Sequence, residues 1–140
     1  MNAKKIFNPK GWLILFAVLH TVMFLLPQLF ATTTAAEMAW GEGNVPQYAE
    51  FYEFQMGTLG IAYTPMLLAM ALMTTGVLRA KLALITALSM LVVAGLNTYM
   101  NIQQAGYMED MPMAMMIGMP IFIFGGMLAS ALLHMKEGTS

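Results

Sequence analysis

A single histidine lies in the middle of the first apolar run of this sequence. His20 is about ten residues from either end of the run 11–30, which predicts a position near the midplane of a bilayer. An ionisable side chain is costly at that depth, so His20 is a candidate for metal ligation, haem ligation or a hydrogen bond to a quinone. The competing interpretation is a neutral imidazole that hydrogen-bonds a neighbouring helix.

Four side chains from later apolar runs are predicted to lie at similar depths to one another, between His20 and the outer surface. If the helices alternate in direction, Tyr63 and Asn97 lie roughly 8–10 Å below the outer surface, and Met116 and Met119 lie near that level. We therefore expect a polar pocket, open to the outer leaflet, in which these four residues and His20 bind a ligand. The alternative is that the Tyr and Asn side chains only join helices, at about 0.6 kcal/mol per contact.

Methionine is frequent, at 17 of 140 residues, and it clusters around the start of the last apolar run. Thioether sulfur is a soft ligand that favours Cu(I). The candidate metal ligands are Met108, Met111, Met113 and Met115. Two carboxylates, Glu109 and Asp110, lie among them, an arrangement that suits a copper-capture site at an outer mouth. The other interpretation is a pliable apolar filler, because methionine is common throughout the chain.

The elements that must position these residues are four long apolar runs. The chain is 59% hydrophobic and 9% charged, whereas a soluble domain is about 25% charged. Some 20 apolar residues suffice to cross a bilayer. The runs lie at about 11–30, 57–78, 82–101 and 112–133. The sequence thus predicts an all-α membrane protein: one domain, 1–140, folded as an antiparallel bundle of four transmembrane helices.

The segment 31–55 is less apolar and is predicted to form a short amphipathic segment on the outer surface, between the first two helices. Thr34 and Glu37 have the spacing of a capping box, and Pro46 is suited to the first position of a new helix. One face of that helix would be formed by Tyr48, Phe51, Tyr52 and Gln55.

The charged residues indicate how the bundle is oriented. A short basic turn, Arg79-Ala-Lys81, is predicted between the second and third spans. With four spans, one side of the membrane receives all the basic residues: Lys4, Lys5, Lys10, Arg79, Lys81 and Lys136. By the positive-inside rule both termini are then cytoplasmic, in a bacterial-type inner membrane. Trp12, beside Lys10, is predicted to be an interfacial anchor.

Several classes of function are disfavoured by what the sequence lacks. The net charge of −1 provides no basic surface for nucleic acid, and the absence of cysteine excludes disulfides, thiolate nucleophiles and Cys-ligated metals. The predicted spans carry no Asp, Glu, Lys or Arg, which argues against carboxylate-based ion coupling. No acid is near His20 to complete a Ser–His–Asp set. Small residues suited to close helix packing are Gly57, Gly60, Gly95, Gly125, Gly126, Ala129 and Ser130.

The order of these elements resembles a known family. The layout is similar to that of the DoxX-like small four-helix membrane proteins. It consists of a first span, a longer outer segment, a glycine-bearing second span, a tight basic turn and two further spans. The second span reads FYEFQMGTLGIAYTPMLLAMAL. The resemblance covers nearly the whole chain and lies in architecture and hydropathy. It implies a four-helix bundle and a link to quinone-coupled oxidation, and it implies no particular site residue.

Taken together, these features favour a noncatalytic membrane subunit or binding module for a lipid- or quinone-like ligand. Cu(I) capture or transport through the outer methionines is one alternative, and a small redox-enzyme membrane subunit is another. The expected partners are membrane lipid and either further copies of the chain or a larger membrane complex.

Overall fold

The computed structural model describes residues 6–104, 106–108 and 111–135. The structure is 84% helical, and the described part of the chain contains no strand. The helices are α1 (Pro9–His20), a π-helical turn (Thr21–Leu25), α2 (Leu26–Phe30), α3 (Thr32–Trp40), α4 (Ala49–Met73), α5 (Gly76–Gln103) and α6 (Met113–His134).

Four stretches are long and apolar enough to cross a membrane: Pro9–Phe30, Ala49–Met73, Gly76–Gln103 and Met113–His134. The predicted all-α membrane bundle of four helices is confirmed. We call Pro9–Phe30, which contains α1, the π-helical turn and α2, the first spanning helix.

The spanning helices pack as two pairs. The first spanning helix lies along α4, and α5 lies along α6, while contacts between α1 and α6 join the pairs. By contrast α4 and α5 touch little, although only Thr74 and Thr75 connect them. We call the end of the bundle with this connection the turn end. The opposite end, with α3 and the segment between α5 and α6, is the loop end.

The π-helical turn in the first spanning helix has a cause in the sequence. Pro27 has no N–H, and its ring conflicts with a carbonyl one turn earlier, so the regular hydrogen-bond ladder cannot continue through it. A wider turn before the proline relieves this conflict. The Leu26 N–H bonds the Thr21 carbonyl, and the Thr21 hydroxyl donates to the Ala17 carbonyl at 2.8 Å. His20 is the last residue before this turn.

The connection between α4 and α5 lies earlier than the sequence predicts. Helix α4 ends at Met73 and α5 begins at Gly76, so Arg79 and Lys81 are in the first turns of α5 rather than in a basic turn. The hydroxyl of Thr74 donates to the Met70 carbonyl, and the Arg79 guanidinium donates to the Thr74 carbonyl. These bonds satisfy backbone groups at the end of α4, which favours a helix end at this position.

The predicted boundaries in the outer segment also shift. Helix α3 begins at Thr32 without a side-chain cap, so Thr34 lies inside the helix and the predicted capping box does not form. Pro46 precedes α4 in a turn closed by the Ala49 N–H and the Pro46 carbonyl, so it is not the first helical residue. Helix α4 continues directly from the surface segment into the span.

The buried core occupies only the half of the bundle near the turn end. It is formed by Leu13, Phe16, Ala17, Leu67, Ala71, Ala83, Ala87, Ile123, Phe124, Met127 and Ala131. The Phe16 and Phe124 rings meet edge to face at 4.8 Å. The Trp12 indole lies on Gly126, where a Cβ atom would be 2.2 Å from the ring. Trp12 therefore packs between helices as well as lying beside Lys10.

The half near the loop end is much more open. Past Ala17 in the first spanning helix, past Ala87 in α5 and before Ile123 in α6, no described residue is buried. In α4 only Ala49 and Gly57 are buried before Leu67. We call the two parts the closed half and the open half.

Candidate functional site

His20 lies at the boundary between the closed half and the open half, in a chain of hydrogen bonds with two threonines. Its Nδ1 atom is 3.1 Å from the Thr64 hydroxyl on α4, which is 3.1 Å from the Thr21 hydroxyl. Thr21 in turn donates to the Ala17 carbonyl at 2.8 Å. The structure thus places His20 in the interface between the first spanning helix and α4.

The directions of these bonds assign the histidine tautomer. A hydroxyl has one proton to donate, and that of Thr21 goes to the Ala17 carbonyl. In the arrangement that satisfies every group of this chain, Thr64 donates to Thr21 and has only lone pairs left for His20. It follows that the neutral imidazole carries its proton on Nδ1, leaving a lone pair on Nε2. Among the described residues, Nε2 has no hydrogen-bond partner.

Aromatic side chains and a glycine surround the imidazole. The rings of Phe16, Phe24 and Tyr63 lie with centroids at 6.2, 6.3 and 5.2 Å from that of His20. At Gly60 a Cβ atom would be 3.2 Å from Cε1 of the imidazole, so the ring rests against the α4 backbone. Phe24 is 48% exposed, and the cluster is therefore accessible from the lipid side.

The residues predicted to form one pocket lie in four places. His20 and Tyr63 meet, as their predicted depths indicate. Met119 is half-buried and packs against the core, whereas Met116 lies further toward the loop end. Asn97 is exposed.

Asn97 is separated from the cluster by its rotation about α5 and not by its depth. The half-buried residues in this part of α5 are Leu91, Ala94, Thr98 and Asn101, which form one helical face. At about 100° per residue, Asn97 lies roughly 80° from the centre of that face. Thr98, one residue later, takes the inward position.

A second site forms at the loop end, where methionines from two elements line one cleft of about 200 Å³. Its lining includes Asn101, Tyr107, Met108, Met111, Met113 and Met116. We call it the methionine cleft. Of the predicted metal ligands, Met108, Met111 and Met113 thus share one cleft.

Met115 is not part of the methionine cleft and is 53% exposed. Met113 and Met116 are three residues apart on α6 and share a face, whereas Met115 points elsewhere. Met116, predicted as a contact in the deeper pocket, lies here instead. The carboxylates predicted beside these sulfurs, Glu109 and Asp110, lie outside the described residues.

Backbone and side-chain contacts fix the segment that carries Met108. Its N–H donates to the Ala39 carbonyl of α3, and its φ is +54°, in the left-handed region that non-glycine residues rarely adopt. Gly106, with φ +81°, permits the turn before it. The Asn101 amide donates to the Met108 sulfur at 3.5 Å. This segment is therefore held over the cleft by α3 and α5.

Tyr107 joins the same segment to α3. Its ring packs edge to face on Trp40, with centroids 5.0 Å apart. Burial raises the pKa of Tyr107 above its ordinary value, and the nearby Glu53 carboxylate raises it further. Glu53 itself accepts a hydrogen bond from the Gln28 amide at 3.1 Å. None of these loop-end contacts was predicted from the sequence, although the polar residue types mark the segment as a surface region.

A larger cleft of about 680 Å³ adjoins the same segment. It lies between α3, the chain that follows it and Met108, and its lining includes Glu37, Trp40, Glu42 and Asn44. Within the described ranges, no group of three or more His, Cys, Asp or Glu side chains is placed to hold a metal ion. The methionine sulfurs are therefore the relevant soft donors at this end.

Comparisons with known protein families, with curated proteins and with solved structures found no match to this chain.

Proposed function

We propose that the protein is a noncatalytic membrane subunit or binding module that holds a lipid- or quinone-like molecule at His20 and Tyr63. The observation that supports this most is the imidazole itself, which lies among aromatic rings at the boundary of the open half and whose Nε2 has no hydrogen-bond partner among the described residues. Apolar ligands with one or two polar groups suit sites of this composition, since the rings supply contact area and the polar atoms fix orientation.

The tautomer restricts the ligand further. Nε2 of the neutral imidazole accepts a hydrogen bond, so its partner must be a donor such as a hydroxyl group. A quinol has hydroxyl groups, whereas a quinone offers only carbonyl oxygens. The Tyr63 hydroxyl, on a ring 5.2 Å from the imidazole, is available to a second polar group of the ligand. The proposed site therefore binds a quinol, or a lipid hydroxyl, more tightly than a quinone.

We further propose that the turn end faces the cytoplasm of a bacterial-type inner membrane, with both termini on that side. Lys10, Arg79 and Lys81 all lie at the turn end, and the positive-inside rule assigns that side to the cytoplasm. The open half then lies in the outer leaflet. Nothing lies within 4 Å of the Cβ position of Gly95, so this point of α5 leaves room for the close approach of lipid, a second copy or a larger complex.

The test compares decylubiquinol with decylubiquinone, under anaerobic conditions, on the full chain in lipid nanodiscs. We expect the quinol to raise the melting temperature more than the quinone does. Tyr63→Phe and His20→Leu should reduce this stabilisation, whereas Asn97→Leu, on the exposed side of α5, should retain it. Tyr63→Phe removes one oxygen and keeps the ring, so it reports on binding even if His20→Leu perturbs folding.

Native mass spectrometry of protein extracted from its own membrane identifies the ligand class. A retained quinol or phospholipid that is lost in Tyr63→Phe and kept in Asn97→Leu would support the proposed site. Equal stabilisation and equal retention in all three variants would place ligand binding elsewhere and contradict the proposal.

A further inference from the structure

We propose that the methionine cleft is a binding site for a soft monovalent cation, Cu(I), with thioether ligands drawn from Met108, Met111, Met113 and Met116. This site is separate from the His20 cluster and goes beyond the function proposed above. Methionines from the loop-end segment and from α6 line one cavity of about 200 Å³, which is ample for a single ion with its ligands.

The chemistry of the lining selects the ion. Thioethers are neutral and polarisable, so they favour Cu(I) over hard or divalent cations such as Mg²⁺ and Zn²⁺. The described residues that line the cleft include no carboxylate and no histidine.

The position of the methionines disfavours the simpler interpretation as apolar filler. Methionine that only fills a core is buried among apolar side chains, as Met127 is in the closed half. Met108, Met111 and Met116 are instead half-buried in a cleft that polar groups of Asn101 and Tyr107 also line. Side chains in such a place are accessible to an ion arriving from the loop end.

The backbone at Met108 gives further support. A non-glycine residue with positive φ is strained and persists only where other contacts impose it. At Met108 the positive φ is held by the hydrogen bond to the Ala39 carbonyl and by the packed ring of Tyr107. In this conformation the Met108 sulfur lies beside the Asn101 amide. The Asn101 amide thereby orients one thioether before any ion binds.

The geometry of α6 supplies a matched control. Met113 and Met116 face the cleft, while Met115 lies between them in sequence and outside the cleft in space. Replacing a methionine by leucine removes the sulfur and roughly conserves volume. Met116→Leu and Met115→Leu therefore make the same chemical change, one inside the cleft and one outside it.

The experiment measures Cu(I) affinity by competition with a chromogenic Cu(I) chelator under reducing conditions, on the full chain in detergent micelles. Ag(I) serves as a probe that does not change oxidation state, and Zn²⁺ tests selectivity. We expect one tightly bound Cu(I) per chain, no tight Zn²⁺ binding, and a loss of affinity of about tenfold or more for Met108→Leu and Met116→Leu. Met115→Leu should bind as the wild type does, and X-ray absorption of the loaded protein should show sulfur ligands.

A wild-type protein that fails to compete with the chelator would overturn the proposal. So would equal losses in Met115→Leu and Met116→Leu, because this result would indicate nonspecific binding to exposed methionines. Melting temperatures of the unloaded variants show that each is folded before its affinity is interpreted.

Discussion

The closed half and the open half of this bundle are made from the same helices but are held together differently. In the closed half, small side chains and a few large rings pack closely, as with Trp12 on Gly126 and Phe16 against Phe124. In the open half, most side chains are exposed or half-buried, and polar pairs such as His20 with Thr64 connect the helices.

This difference separates stability from binding. Lipid is as apolar as the side chains that face it, so packing and interhelical hydrogen bonds, rather than exclusion of water, hold membrane helices together. The closed half has the packing. The open half has the clefts and the imidazole Nε2, which has no hydrogen-bond partner among the described residues, and fewer of its side chains are buried. We expect substitutions in the closed half to change the free energy of unfolding most. Substitutions in the open half should instead change ligand binding or the titration of ionisable side chains.

The largest effect is expected at Gly126. A Cβ there would lie 2.2 Å from Trp12, so Gly126→Ala must displace the indole from the α1–α6 interface. We expect a loss of about 1–3 kcal/mol in the free energy of unfolding, the usual cost of overpacking. Denaturant unfolding in mixed micelles measures it.

Gly125→Ala is the matched control, because nothing lies within 4 Å of its Cβ position. Both substitutions raise helix propensity by the same amount, so the difference between their free energies of unfolding measures the contact with Trp12. Equal stabilities would show that the indole moves freely and that the closed half is not tightly packed.

A smaller effect is expected at Gly57 in the open half. A Cβ there would lie 3.0 Å from side-chain atoms of both Gln28 and Leu29 and 3.1 Å from the Gln28 backbone carbon. Gly57→Ala should cost about 1 kcal/mol relative to Gly95→Ala, whose Cβ meets open space. A cost above that of Gly126→Ala, measured in the same micelles, would reverse the assignment of closed and open halves.

Thr64→Val tests the polar pairs of the open half. Valine keeps the shape of threonine but leaves Thr21 and His20 without their shared partner. We expect a loss of about 0.6 kcal/mol, the average for a hydrogen bond between membrane helices. Thr58→Val is a suitable comparison, since the exposed Thr58 hydroxyl bonds only its own helix. If Thr64→Val and Thr58→Val lose the same free energy of unfolding, the chain of hydrogen bonds does not stabilise the bundle.

The sequence predicts the number of spans and the meeting of His20 with Tyr63, because hydropathy and residue counting determine depth. They do not determine rotation about the helix axis, which is why the sequence predicts Asn97 in the pocket although its side chain is exposed on α5. The chain from His20 through Thr64 to Thr21 also depends on the π-helical turn. Pro27 is the one local signal for that turn, and it indicates a disturbance without giving its geometry.

The loop-end contacts were unpredictable for a different reason. They join residues far apart in sequence, such as Ala39 with Met108 and Trp40 with Tyr107, in segments without regular periodicity. The α4–α5 connection was misplaced because the apolar pattern continues through Val77 and Leu78, which concealed the helix end at Met73.

The smallest expected effect is electrostatic and lies at Tyr107. Burial and the Glu53 carboxylate both raise the pKa of Tyr107, and Glu53→Gln removes only the second cause. The pKa of Tyr107 should therefore fall in this variant but stay above the ordinary value. Ultraviolet phenolate absorbance, taken as the difference from Tyr107→Phe, isolates this one tyrosine from the others.

The sign of the linked stability change follows from the direction of the shift. Since folding raises the pKa, the neutral phenol contributes stability that is fully present below the ordinary tyrosine pKa of about 10 and is lost as pH rises through the folded-state value. Wild-type protein should lose more stability than Glu53→Gln does over that alkaline range. If the Tyr107 titration is the same in both proteins, Glu53 does not act on Tyr107. The open half would then be held at this point by the aromatic contact with Trp40, without an electrostatic contribution.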